Sequence, residues 1–246
     1  MCTLCLQLSH HPSFLLRFAE TLQSMAARRP RIPVAMPKPL LATPAEILGV
    51  RIPDSDVAVA ATDFAQSAMS PSPALFNHCR RSFVLGMIDA KKRARKVDEE
   101  ACYVAAMLHD IALMPEHAGD LTKTFEANGA EMAETFVRVR GFSADRADKV
   151  AKAILLHAGA ADGLGPDIEF VMWGTGQDVL GPQPDQLTDQ QLAAIESAIP
   201  RLRFKEKFLA LMKDHVNRTK NPSWTAEFAR GEGDFFPRFM HNRWSE

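Results

Sequence analysis

The stretch Ala101-Cys102-Tyr103-Val104-Ala105-Ala106-Met107-Leu108-His109-Asp110-Ile111 places a histidine and an aspartate directly after an apolar run. The apolar residues recur at the spacing of one helix face, which predicts a buried helix. At least one of the two polar side chains must then point to the interior. An ionised carboxylate is tolerated there only beside a cation or strong hydrogen-bond donors. The stretch therefore predicts a polar site at the end of a core helix.

Two further polar residues can complete such a site. His78 lies upstream, and Asp178 lies downstream in register with Val171 and Thr175 on the face of a predicted helix. Imidazole nitrogens and carboxylate oxygens together suit a borderline divalent metal. We therefore predict one divalent transition metal, iron or zinc, with manganese and cobalt also compatible. Its predicted ligands are His78, His109, Asp110 and Asp178.

Composition limits the class of partner. The chain has 246 residues, 46% of them hydrophobic, and a formal net charge of −1. A chain of this length and composition can bury a substantial core. It has no overall excess of positive charge that would attract nucleic acid or an anionic membrane. The basic run at residues 91–96 is interpreted as the solvated C-terminal end of a helix, where the helix dipole favours cations. We expect a small-molecule substrate, no nucleic acid and no membrane.

The four cysteines indicate a reducing compartment. Cys79 and Cys102 lie inside apolar helical patterns, where free cysteine behaves as a small hydrophobic residue. Cys2 and Cys5 form a C-x-x-C, but no second pair follows at zinc-ribbon spacing. No apolar run has the length needed to span a bilayer. We expect a cytoplasmic protein.

The periodicity of apolar residues is helical almost throughout, so the predicted fold class is all-α, with a single globular domain. Residues 1–52 are predicted to be an N-terminal extension with a proline-rich linker, and residues 53–221 to be the domain. Residues 222–246 form an aromatic tail that either folds back over the domain or covers a partner subunit in a possible homo-oligomer. Predicted helices cover about 54–69, 76–90, 98–113, 125–140, 143–157, 168–178, a segment opened by a Thr188/Gln191 capping box, and 204–215.

Five segments also occur in a definite order: Asn77-His78-Cys79-Arg80-Arg81-Ser82-Phe83, Leu108-His109-Asp110-Ile111-Ala112-Leu113, and residues 125–130, 153–157 and 174–181. In order and spacing they resemble the cyanamide hydratase-like branch of the HD-domain superfamily of metal-dependent hydrolases. The superfamily motif is a histidine, a histidine-aspartate pair and a distant aspartate, and the resemblance covers about residues 53–221. Cys79 stands where the branch often has serine, and Ala112 where glycine is common. Neither is a predicted metal ligand.

The resemblance implies that a divalent metal activates water for attack on a small molecule. The attacked centre is either a nitrile-like carbon, as in the hydration of cyanamide to urea, or phosphorus, as in phosphohydrolases of the superfamily. Asp110 is the predicted catalytic group that passes protons between water and substrate. His157 is predicted to lie in the pocket as a donor to substrate or a proton shuttle.

Three other residues keep two interpretations each. His117 either lies in a surface loop or closes over the site. Arg81 either orients a carboxylate of the site or makes an ordinary salt bridge. Glu126 either caps a helix or hydrogen-bonds a ligand histidine.

Two alternatives to the cyanamide hydratase-like hydrolase stay open. A phosphohydrolase acting on a nucleotide or another phosphate ester needs cationic groups near the phosphate, and the candidates are Arg80, Arg81 and Lys123. A metal-binding regulatory module without turnover is the second alternative. The presence of all four predicted ligands argues against it.

Overall fold

Short polar side chains at the N-caps set where five helices begin. Each accepts a hydrogen bond from the backbone N–H three residues later, a donor that the helix itself leaves free. For Thr188 the bond is part of the predicted capping box, in which Gln191 reaches back to the cap. The five caps are Ser55, Asp98, Thr124, Ser143 and Thr188.

The computed structural model describes residues 44–159, 161–222 and 224–246, which belong to one compact unit, Thr43–Glu246. Predictions for the chain before residue 44, including the Cys2/Cys5 pair and most of the N-terminal extension, lie outside the described residues. The helices are α1 Asp56–Ala68, α2 Pro73–Lys92, α3 Glu99–Leu108, α4 Phe125–Arg138, α5 Ala144–Leu155, α6 Pro166–Leu180, α7 Asp189–Ala198, α8 Phe204–Arg218, α9 Thr225–Arg230 and α10 Phe235–Met240.

The all-α prediction is confirmed, with one small addition. Two strands of two residues each, β1 Glu46–Ile47 and β2 Val50–Arg51, form an antiparallel hairpin in the stretch predicted as linker. Leu48 and Gly49 turn the chain with positive φ angles of 49° and 75°. The predicted domain boundaries at residues 52 and 221 stay a prediction. None of the helices within the described ranges is both long and apolar enough to cross a membrane.

Helix α3 ends earlier than the sequence predicts. The prediction extends it to Leu113, but α3 stops at Leu108 and residues 111–113 form a short 3₁₀ helix. Pro115 has no backbone N–H and disfavours a helical conformation at the residue before it, so Met114 is extended (φ −73°, ψ 130°). The chain therefore turns at His109 and Asp110, and both side chains are buried.

Helices α2 and α6 pack backbone against backbone. A Cβ atom on Gly174 would lie 2.0 Å from the carbonyl oxygen of Ser82, and one on Gly86 would lie 2.7 Å from Cζ of Phe170. Only glycine permits such an approach. This pair of helices matters for the site, since α2 carries His78 and α6 carries Asp178.

The aromatic tail is helical and packs on the domain. Helix α9 lies against α8, and α10 lies against α6. Phe228 and Phe239 are buried and stack edge to face, with ring centroids 5.0 Å apart. The indole N–H of Trp224 donates to Oε1 of Glu126 in α4 over 2.8 Å, which attaches the start of the tail to the body of the domain.

Candidate metal centre

Four different elements deliver the predicted site residues to one place. His78 lies in the second turn of α2, and His109 and Asp110 lie where α3 ends. Asp178 lies near the end of α6, and His157 follows α5 in a turn. All five side chains are buried. The centre is therefore assembled by packing of the helices and not by any local segment.

Three of the four predicted ligands converge. Nε2 of His78 lies 3.2 Å from Nε2 of His109. Oδ2 of Asp110 lies 3.5 Å from Nε2 of His78 and 3.3 Å from Nε2 of His109. Two nitrogens and one oxygen thus face a common point, and these three side chains form a group that could hold a metal ion.

Hydrogen bonds on the far side of each ring set the tautomers of the two histidines. Nδ1 of His109 lies 2.7 Å from the carbonyl oxygen of Ala106, which can only accept, so Nδ1 carries the proton. Nδ1 of His78 lies 2.6 Å from Oδ2 of Asp178, an ionised carboxylate, and donates in the same way. When the rings are neutral, their Nε2 atoms therefore present lone pairs to each other and to Asp110.

This donor set fits a divalent metal. Two lone pairs and a carboxylate oxygen crowded within a buried space repel one another unless a cation lies between them. Outer hydrogen bonds that fix the proton on Nδ1 are the usual companions of metal-binding histidines. Burial alone would raise the pKa of Asp110, but positive charge on the neighbouring imidazoles, chiefly that of His109, holds it well below its usual range. Burial would lower the pKa of His109, but Asp110 raises it well above its usual value, so a positive charge is favoured at this point.

Asp178 is held on the outer side of His78. Arg81 donates to both of its oxygens, from Nε to Oδ1 over 2.6 Å and from Nη2 to Oδ2 over 2.9 Å. Nη1 of Arg201 donates to Oδ1 over 3.0 Å. Burial would raise the pKa of Asp178, but the two guanidinium groups hold it far below its usual range. The structure thus places Asp178 behind His78 as its hydrogen-bond acceptor, and direct coordination by Asp178 stays a prediction.

His157 faces the other oxygen of Asp110. The sequence places it on the inward face of a helix, but α5 ends at Leu155 and His157 lies in the following turn. Its Nδ1 donates to the carbonyl oxygen of Ile154 over 2.6 Å, so the unprotonated Nε2 points to Oδ1 of Asp110 at 3.7 Å. Burial lowers the pKa of His157 to about 4, and the ring is neutral at pH 7.

The structure also shows the contacts of the three residues that had two interpretations each in the sequence analysis. Arg81 orients the Asp178 carboxylate, and Nη1 of the same guanidinium donates to the carbonyl oxygen of Pro200 over 3.1 Å. Oε1 of Glu126 accepts the hydrogen bond from the indole of Trp224, and the N-cap of α4 is Thr124. His117 packs edge to face on Phe64 at a centroid distance of 5.6 Å.

Sequence reasoning missed Arg201. This buried residue follows Pro200 after α7, where no periodic pattern or motif marks it. Its guanidinium contacts Asp178 and also donates from Nε to Glu246 over 3.3 Å. No signal in the sequence joins residues 178, 201 and 246, because their proximity depends on how the late helices pack.

A cavity of about 390 Å³ opens from the cluster. His78, His109, Asp110 and His157 lie at its polar end, and Thr175 is nearby on α6. Its other walls are formed by aromatic, aliphatic and small residues from α4, α6, α8 and the tail. A small molecule in this cavity would contact Asp110 and His157 directly.

An all-α core brings two histidines and an aspartate together beside a cavity, which is the arrangement that the HD-domain motif predicts. Comparison with known families agrees, since residues 75–196 match the model of the HD domain. This match supports the resemblance to the HD-domain superfamily that the motifs indicated.

Within the superfamily the similarity is to cyanamide hydratases. Cyanamide hydratase DDI2 of Saccharomyces cerevisiae is 27% identical to the chain over 198 residues, which cover 76% of this chain and 86% of the relative. Cyanamide hydratase DDI3 of the same organism has the same identity and coverage. These matches confirm the resemblance to the cyanamide hydratase-like branch.

Proposed function

We propose that this protein is a metal-dependent hydrolase that adds water to an electrophilic carbon of a neutral small molecule, in the manner of a cyanamide hydratase. One observation carries the proposal. The Nε2 atoms of His78 and His109 and Oδ2 of Asp110 face one point at the polar end of a cavity. The two yeast relatives named as cyanamide hydratases support the choice of a carbon centre.

His78, His109 and Asp110 would hold the metal, with Asp178 as the predicted fourth group. When bound, a divalent metal supplies the Lewis acidity that makes water a nucleophile near neutral pH. Iron and zinc suit these ligands, and manganese and cobalt are compatible with them.

Asp110 and His157 are placed to receive the proton that water gives up. Oδ1 of the ionised Asp110 and Nε2 of the neutral His157 are both acceptors, and they lie 3.7 Å apart at the edge of the cavity. A proton held between them can be returned to the nitrogen of the substrate as water adds to the carbon.

A phosphohydrolase is supported less well by the described residues. Of the three cationic candidates, Arg81 is committed to Asp178, and Lys123 pairs with Glu131 at the half-exposed end of α4. Arg80 donates to Asn77 and lies over the ring of Phe76. No lysine or arginine of the described chain lines the cavity, so a phosphate there would lack a cationic partner besides the metal.

Two assays on metal-loaded protein separate the functions. Urea formation from cyanamide tests the hydratase, and phosphate release from a panel of nucleotides and phosphate esters tests the phosphohydrolase. We expect the first to proceed and the second to be absent. Asp110→Ala serves as the inactive reference. Phosphate release at a higher kcat/KM than urea formation would reject the proposal, and no turnover in either assay with metal bound would favour a regulatory module.

A further inference from the structure

The cavity is chemically divided. Its titratable groups, His78, His109, Asp110 and His157, are gathered at one end. The remaining walls contain no charged side chain among the described residues. The apolar wall is formed by Met172 and Leu180 of α6, Phe208 and Met212 of α8, and Trp224 and Phe235 of the tail.

Four residues of that apolar wall lie beyond the part of the chain that matches the HD domain model, which ends at residue 196. Phe208 and Met212 lie on α8, and Trp224 and Phe235 belong to the tail. Phe208 and Met212 are buried, and Phe208 stacks against the buried rings of Phe204 and Phe239. The wall is thus a packed surface of fixed shape.

The size of the cavity does not match cyanamide, which is only a nitrile group carrying an amino group. A volume of about 390 Å³ has room for roughly a dozen groups the size of a water molecule, at about 30 Å³ each in the liquid. A metal and its waters would fill only the polar end. Cyanamide would leave the apolar wall facing water. An apolar substituent would cover that wall and would itself be removed from water.

We infer that the substrate is a neutral nitrile-type compound that carries an apolar substituent of several carbon atoms, and that α8 and the tail select this substituent. The inference rests on the proposed function, because it assigns the reacting nitrile carbon to the metal end. In the reaction, the oxygen of water ends with a double bond to the nitrile carbon, and both carbon–nitrogen π bonds break. Both protons of water finish on the nitrogen, which gives an amide without any oxidant or reductant.

Gly176 offers a substitution that tests the wall without disturbing the fold. It lines the cavity from within α6, and a Cβ atom built on it meets no atom within 4 Å. Leucine is a better helix former than glycine, so Gly176→Leu fills the cavity while favouring the helix. Ala193→Leu places the same side chain at an exposed position of α7 and serves as the matched control.

The experiment measures kcat/KM of metal-loaded protein for cyanamide and for straight-chain nitriles from acetonitrile to heptanenitrile. In the wild-type chain and in Ala193→Leu, we expect kcat/KM to rise roughly fourfold for each added CH₂ group until the cavity is full. In Gly176→Leu the rise should stop several carbons earlier. The ratio of kcat/KM for hexanenitrile to kcat/KM for acetonitrile should be at least tenfold lower than in the wild-type chain. A Tm of Gly176→Leu that is no lower than that of the wild-type chain shows that the fold is intact.

A second readout does not depend on turnover. Calorimetric titration with the product series from acetamide to heptanamide should show affinity that increases with chain length in the wild-type chain and not in Gly176→Leu. If cyanamide is hydrated but neither series depends on chain length, the inference is wrong and the proposed function stands. If the amides bind with the expected dependence but no nitrile is hydrated, the proposed function is wrong, and with it the assignment of a nitrile substrate. If neither rate nor affinity responds to Gly176→Leu, the apolar wall does not select the substrate.

Discussion

Nδ1 of His78 lies 2.6 Å from Oδ2 of Asp178, while Nε2 on the opposite edge of the same ring lies 3.2 Å from Nε2 of His109. One imidazole thus joins a buried ion-pair network to the group of metal-ligand candidates. Burial lowers the pKa of His78. The ring is therefore neutral, with its proton on Nδ1 and its lone pair directed at the metal position. The hydrogen bond from Nδ1 to Asp178 thus orients His78 so that its Nε2 faces His109 and Asp110.

The first prediction concerns metal content. We expect about one divalent transition metal per chain in the wild-type protein, and loss of most of it in Asp110→Ala with helicity nearly unchanged, because α3 ends before Asp110. Elemental analysis and far-ultraviolet circular dichroism measure the two quantities. The exposed Asp63→Ala should retain the metal. Full metal content and turnover in Asp110→Ala would show that the centre lies elsewhere.

Removal of the metal should also lower stability. A ligand that binds only the folded state stabilises it by about 2.7 kcal/mol when its free concentration is a hundred times Kd. A chelator should therefore lower Tm of the wild-type protein and leave Tm of Asp110→Ala unchanged. Equal shifts in both proteins would mean that the chelator acts on something other than this centre.

Arg81 should matter for the geometry of the site more than for its charge. Arg81→Lys keeps the charge, but an ammonium cannot reproduce the two parallel bonds from Nε and Nη2 to Asp178. We expect a loss of about 1.5–3 kcal/mol in the free energy of unfolding, since hydrogen bonds to the buried carboxylate of Asp178 are lost. Metal affinity should fall about 10- to 100-fold, as for other outer partners of ligand histidines. Denaturant titration and metal competition measure these changes.

The same substitution at Arg93 is the control. Arg93 pairs with Asp89 over 2.8 Å, and its side chain is about half exposed. Arg93→Lys should change stability by less than about 1 kcal/mol and leave the metal affinity unaltered. A comparable loss of metal affinity at both positions would contradict the orienting role of Arg81.

Two glycines in one turn of α6 should respond in opposite directions to alanine. Gly174→Ala places a methyl group 2.0 Å from the carbonyl oxygen of Ser82, so α2 and α6 must separate, at a cost of about 1–3 kcal/mol or more. Gly176→Ala meets open space and should stabilise the helix by about 0.5–1 kcal/mol. Thermal unfolding distinguishes the two. A stabilised Gly174→Ala variant would show that the helices do not pack this closely.

Acid should weaken the start of α3 through Asp98. Hydrogen bonds from Arg146, together with the capping bond from Ala101 N–H, lower the pKa of Asp98 in the folded protein. Its stabilising effect is therefore complete above the pKa of an unfolded aspartate, about 3.9, and disappears as the pH falls through the lower folded value. Asp98→Ala should cost about 1–2 kcal/mol at pH 7 and progressively less below about pH 4.

Denaturant titrations over a range of pH measure that difference. Asp145, in the first turn of α5, is the control because its side chain is largely exposed. Asp145→Ala should change the free energy of unfolding by no more than about 0.5 kcal/mol. If the loss in Asp98→Ala were equally large below pH 4, the Asp98 carboxylate would not be its source.

The sequence predicts well what depends on local pattern. The stripe containing Val171 and Thr175 correctly directs Asp178 inward, and Thr188 with Gln191 predicts the capping box. The C-terminal ends of helices were predicted less well. The apolar pattern extends α3 to Leu113 and α5 to His157, whereas the helices end at Leu108 and Leu155. The contacts of Arg201 and Trp224 could not be predicted at all. They join segments far apart in sequence, and no spacing rule connects them.

The predicted metal ligands and part of the apolar wall of the cavity lie in different parts of the chain. The residues that would bind metal lie within the HD-matched stretch 75–196, while Phe208, Met212, Trp224 and Phe235 lie after it. A fragment restricted to that stretch would retain the motif but would lose these four wall residues and the Arg201 contact to Asp178. Substrate range can therefore change during evolution through substitutions after residue 200 while the chemistry at the metal stays the same.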